Sequence, residues 1–250
     1  MSGHSRWAGI KHKKGLADAK RGKLFTKIIR EISIAAKLNG GHPESNPRRR
    51  KAMDDAREAN MPSDNVKKAI QRGTGELPGV NYEELVYEGY GPGGVALIVE
   101  ATTDNKNRTA GEIRRMFSQH GGNMGETGCV GWMFSSKGLL SVEKSKADEE
   151  ALLNLVLEAG AEDLKTEDPE YFEIITAPAD FEKVKKALQD KQIPAVSAEV
   201  TLLPQSYVKL TGAPASQMMT LMNALEAHDD VKNVYANFDI PKEIMESATQ

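Results

Sequence analysis

Apolar residues recur at helical spacing early in the chain. Phe25, Ile28, Ile29, Ile32 and Ala36 share one face, and Asn39-Gly40-Gly41 supplies a left-handed stop, which predicts a helix over about residues 16–38. Asn46 before Pro47 reads as an N-cap with proline at the first helical position, and Lys51, Ala52, Ala56 and Ala59 continue that second helix. A third, shorter helix is bracketed by Pro62-Ser63-Asp64 and Gly73, turning Val66, Ala69 and Ile70 inward. Three such helices make a small bundle over residues 1–75. Residues 73–79, reading GTGELPG, have the glycine and proline density of a linker.

Past that linker the period shortens towards two. Residues 84–90 and 95–102 read as strands joined by Gly91-Pro92-Gly93-Gly94, and a helix over 108–119 buries Ile113, Met116 and Phe117. Gly121-Gly122 ends it before a strand-like stretch through Cys129, Val130, Trp132 and Phe134. After Gly138 come a strand (139–143), a helix (148–158), two strands (162–166 and 171–176), a helix (179–190) and a strand (196–203). That βαββαβ order is the ferredoxin-like unit. A closing helix (215–228) and strand (231–238) have no neighbours of their own and are assigned to the sheet begun at Glu84. The expected fold class is therefore α+β and multidomain: a basic helical domain at 1–75, a split α+β domain at 80–137 plus 204–240, and a ferredoxin-like α+β domain at 138–203 inserted in it.

Charge changes the picture more than composition does. With 39% hydrophobic and 28% charged residues the chain is ordinary for a globular protein. Its net charge of -3 hides a partition: residues 1–75 hold 18 Lys and Arg against 7 Asp and Glu, and the remainder holds 15 against 29. A segment of net +11 beside one of net -14 suggests that the basic part meets a polyanion while the acidic part maintains solubility. No window approaches the roughly 18 to 20 apolar residues of a spanning helix, and the first ten residues lack the apolar core of a secretion signal, so the expected location is the cytoplasm. The single cysteine, Cys129, is read as a small buried hydrophobe.

The candidate chemistry follows the charge. Lys20, Lys23, Lys27 and Arg30 fall within one third of the first helix's circumference, opposite its apolar stripe, and form a face free for phosphate. Upstream, Arg6 and Trp7 precede Lys11, His12, Lys13 and Lys14; Trp7 can either stack on an unpaired base or plug the bundle. Arg48 and Arg49 belong to a run of four cations at the second helix start, and Lys67, Lys68 and Arg72 extend the positive surface on the third. A secondary anion contact is offered by Lys106, Asn107 and Arg108, where Asn107 can equally be a plain N-cap. The glycine run at 89–94 lacks the ending of a P-loop and reads as a turn. Five histidines show no metal-ligand spacing, no serine sits in a nucleophile elbow, and the pairs Glu162-Asp163 and Asp229-Asp230 read as turn and cap residues. No enzyme, metal or cofactor is expected.

Longer motifs then carry a resemblance: GHSRW at 3–7, DAKRGK at 18–23, FTKIIREI at 25–32, AAKL at 35–38, NPRRR at 46–50, NMP at 60–62, YEGYGPGG at 87–94, DNKNRT at 104–109 and AGAED at 159–163. Over essentially its whole length the chain resembles the YebC/PmpR family. The resemblance implies three domains, one helical and two α+β, and a DNA-binding regulator of transcription. A second description of that family is a ribosome-associated factor that binds rRNA and assists synthesis of proline-rich stretches. The basic segment suits either ligand, since rRNA and duplex DNA carry the same charge, and no recognition helix with base-reading side chains stands out. The expected function is a nucleic-acid-binding regulator of gene expression, with enzymatic activity as the reading from a different class and a protein adaptor using the acidic domains as another.

Overall fold

The computed structural model describes residues 18–39 and 46–247. It begins with α1 (Asp18–Asn39), α2 (Pro47–Glu58) and α3 (Ser63–Thr74). Ile28, Ile32, Ala52, Ala56 and Ala69 are buried between these helices, with Phe25, Ile29, Val66 and Ile70 packed around them. Asn46 caps α2 as its sequence position demands: its Oδ1 accepts from the Arg49 amide at 3.0 Å, and its Nδ2 donates to Ala35 O at 2.7 Å, tying the start of α2 to α1.

One boundary is corrected. Gly73 does not end the third helix, which continues to Thr74, and Gly75 at φ 83° provides the left-handed stop. Gly73 instead lets α3 approach α1, because a Cβ there would lie 2.8 Å from the Ala36 Cβ and press on the Ser33 carbonyl. Ser33 Oγ donates to Ala69 O at 3.0 Å across the same crossing. Gly73→Val is expected to overpack this contact and cost about 1–3 kcal/mol, read as faster amide exchange in α1 and α3 with little change elsewhere.

The next elements are β1 (Glu83–Tyr90), β2 (Ala96–Thr103), α4 (Lys106–Gln119) and β3 (Asn123–Met124), and much later α7 (Gly212–Ala227) and β9 (Val231–Ala236). The strands form one antiparallel sheet in the order β3-β1-β2-β9. Leu97 and Val99 alternate towards α4 and α7 and meet Ile113, Phe117, Met218, Leu221 and Met222 in the largest apolar core. Ala96, Ile98 and Tyr235 face the other way, under Val130 and Phe134.

Between those parts lie β4 (Phe134–Glu143), α5 (Glu149–Glu158), β5 (Ala161–Lys165), β6 (Tyr171–Thr176), α6 (Phe181–Asp190) and β7 (Ala195–Pro204), with sheet order β5-β6-β4-β7, antiparallel throughout. Leu140, Val142, Leu152, Val156, Ile174 and Val184 form its core. Here the expected strand over 129–134 is corrected. Residues 131–133 form a 3-10 turn, and β4 starts at Phe134 and runs through Gly138, where a Cβ would lie 2.7 Å from the Phe181 ring. The last expected strand also stops early, at Ala236. Asn237 is fully buried with its Oδ1 accepting from the Ala96 amide at 2.8 Å, after which β10 (Phe238–Asp239) pairs in parallel with β8 (Val208–Lys209). A final helix, α8 (Lys242–Ser247), was not expected; Met245 on it is buried. The architecture is mixed α+β, and no helix among the described residues is long and apolar enough to cross a membrane.

Candidate nucleic-acid interface

Periodicity placed the α1 cations opposite the bundle core, and that side is not free. Lys23 Nζ donates to Ala227 O at 2.9 Å and lies 3.5 Å from an Asp229 carboxylate oxygen, while Lys27 Nζ donates to Glu226 O at 2.8 Å. Arg30 reaches deepest: Nη1 donates to Asp229 O at 2.6 Å and to Asp230 Oδ1 at 2.8 Å, and the guanidinium sits 5.6 Å from the Tyr82 ring centroid. The expectation of an uncovered phosphate face on α1 is corrected for Arg30, whose side chain is 14% exposed, and for half-buried Lys27, while the Lys23 side chain stays 55% exposed beside its partners. A helical wheel reports which side is polar, and a contact some 200 residues away in sequence decides what covers it. Lys20 lies on the first turn of α1 with its side chain outside the described residues, as do Arg6, Trp7, Lys11, Lys13 and Lys14 altogether.

The acceptor of Arg30 is a built site. The Asp230 side chain is 4% exposed, and its Oδ2 accepts from Thr109 Oγ1 at 2.6 Å, Thr103 Oγ1 at 3.1 Å and Arg108 Nη2 at 2.9 Å. Burial by itself would raise its carboxyl, but the three donors and the Arg30 charge outweigh that and hold it at about 2, against an ordinary value of 3.8. Arg108 is thus committed to Asp230 and to Asp104, at 2.8 Å. Asn105, and not Asn107, caps α4, accepting from the Arg108 amide at 3.1 Å. Of the three candidates for a secondary anion contact, Lys106 and Asn107 are exposed, while the guanidinium of Arg108 already has carboxylate partners. Asp229-Asp230, read from sequence as an ordinary turn pair, is where α1 meets the rest of the chain.

Arg48 makes a second bridge. Its Nε donates to Glu31 at 2.6 Å and its Nη1 to Glu84 on β1 at 2.9 Å, while Lys232 on β9 pairs with Glu31 at 3.0 Å. Glu31 titrates below the ordinary range: its burial is opposed by the Arg48 hydrogen bond and the Lys232 charge. Arg49 is buried, and its Nε and Nη1 have no protein partner among the described residues. Lys67, Lys68 and Arg72 lie exposed on the outer side of α3. Lys68 and Arg72 are four residues apart and so stack on one helical face, with Lys67 beside them. Arg114 and Arg115 on α4 are also exposed and were not singled out from sequence, because they sit in a chain segment whose net charge is acidic.

Two further constellations bear on chemistry. Glu112, His228 and Asp230 bring ligand-type atoms within 4.8 Å of one another. Each is already engaged: His228 Nδ1 accepts from the Asp230 amide at 3.1 Å and its other nitrogen meets Glu112 at 2.8 Å, so the group reads as a hydrogen-bonded brace. Glu88, buried, accepts from the amides of Gly128, Val130 and Gly131 at 2.7–2.8 Å and shapes the loop on which Trp132 stands 70% exposed, its Nε1 donating to Cys129 O. Cys129 itself is half-buried, and desolvation pushes its thiol up.

Residues 5–76 match the family model for the TACO1/YebC protein N-terminal domain, and residues 82–238 match that for the TACO1/YebC second and third domain. A protein from Endomicrobium trichonymphae is 64% identical over 247 residues, covering 98% of both chains, and one from Dictyoglomus turgidum is 57% identical over 248 residues, covering 99% of both. One from Geobacter sulfurreducens is 57% identical over 246 residues, covering 98% of this chain and 99% of its own. All three are described as probable transcriptional regulatory proteins. The crystal structure of a conserved hypothetical protein from Aquifex aeolicus superposes with a TM-score of 0.80 at 48% identity, over 93% of this chain and 96% of the other.

Proposed function

The chain belongs to the TACO1/YebC family, and on that premise we propose that it is a non-enzymatic, nucleic-acid-binding regulator of gene expression acting on duplex DNA in the cytoplasm. The observation that carries this reading is the net +11 of residues 1–75, part of which stands exposed on α3 as Lys67, Lys68 and Arg72. Cations on one helical face follow a phosphate backbone and release its counterions. Contacts of this kind go to the phosphate backbone and carry no sequence information, so binding is dominated by the backbone. We read the chain as three units, the helical one at 1–75, the split one at 80–137 plus 204–240, and a ferredoxin-like one at 138–203. Separate apolar clusters in the three support that division, and a fourth, in which Leu202 packs with Ala96, Ile98 and Tyr235, joins the second unit to the third.

A second reading, a ribosome-associated factor that binds rRNA and assists synthesis of proline-rich stretches, is favoured by one observation. Trp132 presents its indole to solvent while its polar edge is fixed, which suits stacking on an unpaired base and serves no purpose on an intact duplex. The test is binding to a DNA duplex and to an rRNA hairpin across a salt series, for the wild type and for Lys67→Gln/Lys68→Gln/Arg72→Gln. The triple variant is expected to bind more weakly and to lower the log-log salt slope by roughly 2 to 3, at about 0.9 for each duplex phosphate it no longer neutralises. An unchanged slope in a folded variant refutes the interface. Trp132→Ala is expected to cost about 1–3 kcal/mol on the hairpin alone under the second reading and nothing on either ligand under the first.

A further inference from the structure

The contact between α1 and the 226–230 segment joins groups that would each also suit a nucleic acid. On one side stand Lys23, Lys27 and Arg30, evenly spaced along a helix. On the other stand Glu226 O and Ala227 O, carbonyls of the last turn of α7, then Asp229 O and the Asp229 and Asp230 carboxylates. A helix C-terminus carries partial negative charge, so α7 and the two aspartates together imitate a short anionic backbone. The cations thus have one set of partners supplied within the chain and, under the function proposed above, a competing set on the ligand.

What surrounds this contact makes it separable. The bundle core draws on residues 24–70 and the core of the first sheet on residues 95–245, and no apolar cluster among the described residues spans the two. Further bridges, Arg48 to Glu84, Lys232 to Glu31 and Lys37 to Asn81, are polar and partly exposed, and Tyr82 meets Arg30 through its ring. Ion pairs in such positions are weak in water and screened beyond about 8 Å at physiological salt. Residues 75–81, which connect α3 to β1, are exposed throughout, so the connection itself does not hold the halves together. Asp230 keeps Thr103, Thr109 and Arg108 when Arg30 leaves, so its carboxylate is not stranded.

We propose that the contact of Lys23, Lys27 and Arg30 with Glu226, Ala227, Asp229 and Asp230 is an autoinhibitory latch, opened when a nucleic-acid phosphate backbone takes these cations. The proposal rests on the nucleic-acid reading above. In the closed state the exposed α3 cations meet the ligand, and opening adds a second row of cations against the phosphates.

The test uses the full chain with fluorophores on Glu58→Cys and Gln119→Cys in a Cys129→Ala background, so that energy transfer reports the separation of bundle and first sheet. Transfer is expected to fall on saturation with a DNA duplex or an RNA hairpin, and to fall with added salt alone. Asp229→Asn/Glu84→Gln removes one partner of Lys23 and one of Arg48 without touching a cation. It is expected to tighten binding by about three- to tenfold, because the binding-competent fraction rises. Glu149→Gln/Glu150→Gln on α5 changes net charge equally and is expected to leave affinity within twofold. Binding with unchanged transfer, or equal tightening by both double variants, overturns the latch and leaves the nucleic-acid function standing. Binding by Asp229→Asn/Glu84→Gln where the wild type fails to bind supports it; failure of both to bind at low salt overturns the function and the latch together.

Discussion

Asp230→Ala is expected to lower the unfolding free energy by about 3–5 kcal/mol, more than other single changes in the polar seam, because it removes the buried carboxylate shared by two guanidinium groups and two dehydrated hydroxyls. Thr103 and Thr109 are 1% and 0% exposed, and both hydroxyls lose their carboxylate acceptor together with Arg30. Urea denaturation of wild type and variant at neutral pH gives the difference directly. The same carboxylate sets an acid limb. Held at about 2 in the folded chain against 3.8 ordinarily, it contributes stability that is complete above about pH 4 and is lost as pH falls through 2. The expected loss over that window is about 2 kcal/mol. Asp230→Asn, which does not titrate, starts less stable and should lack that part of the acid limb. A wild-type profile parallel to that of Asp230→Asn between pH 4 and 2 would contradict the assignment.

Glu88→Ala is the second large effect. Three amides of one loop, those of Gly128, Val130 and Gly131, point at a single buried carboxylate, and without it each is an unpaired donor costing about 1–3 kcal/mol, partly relieved if water enters. A total of about 3–5 kcal/mol is expected, with the loop released. Trp132 rides on that loop, so its fluorescence anisotropy in a Trp7→Phe background should fall in Glu88→Ala even where the rest of the chain stays folded. Glu88→Gln keeps one acceptor oxygen, but its amide faces the donors, so it should recover only part of the stability. Burial of Glu88 is outweighed by the three N–H donors, which hold its carboxyl below the ordinary range, so this contribution also weakens only in strong acid.

These two carboxylates show where sequence reading stops. Elements with local signals were legible: Asn46-Pro47 starts α2, and the strand read from Tyr171 to Thr176 matches β6 residue for residue. The resemblance carried by the GHSRW, NPRRR and YEGYGPGG motifs was legible for the same reason, being written in contiguous residues. Asp230 was not, because its partners come from positions 30, 103, 108 and 109, and alone it looks like any turn aspartate. Glu88 sits in an alternating strand where a polar residue is read as facing solvent, yet the 128–131 loop folds over it. The α1 cations fall on one side of the helical wheel, opposite the apolar stripe. What lies against that side depends on a helix end formed some 200 residues later.

The pairing of β2 with β9 sets an order of events during synthesis. Ala101 lies opposite Val231, so the central strand of the first sheet waits for a neighbour made about 130 residues later. At a translation rate of about 5–20 residues per second, the interval between Gly75 and Ala236 is roughly 8 to 30 s, long compared with the folding of a three-helix unit. Throughout that time the nascent N-terminal helices exist without residues 226–230, and Lys23, Lys27 and Arg30 are without the acceptors that segment supplies. A chain emerging beside rRNA and mRNA is then at its most cationic, and masking of those residues is among the last steps of its maturation.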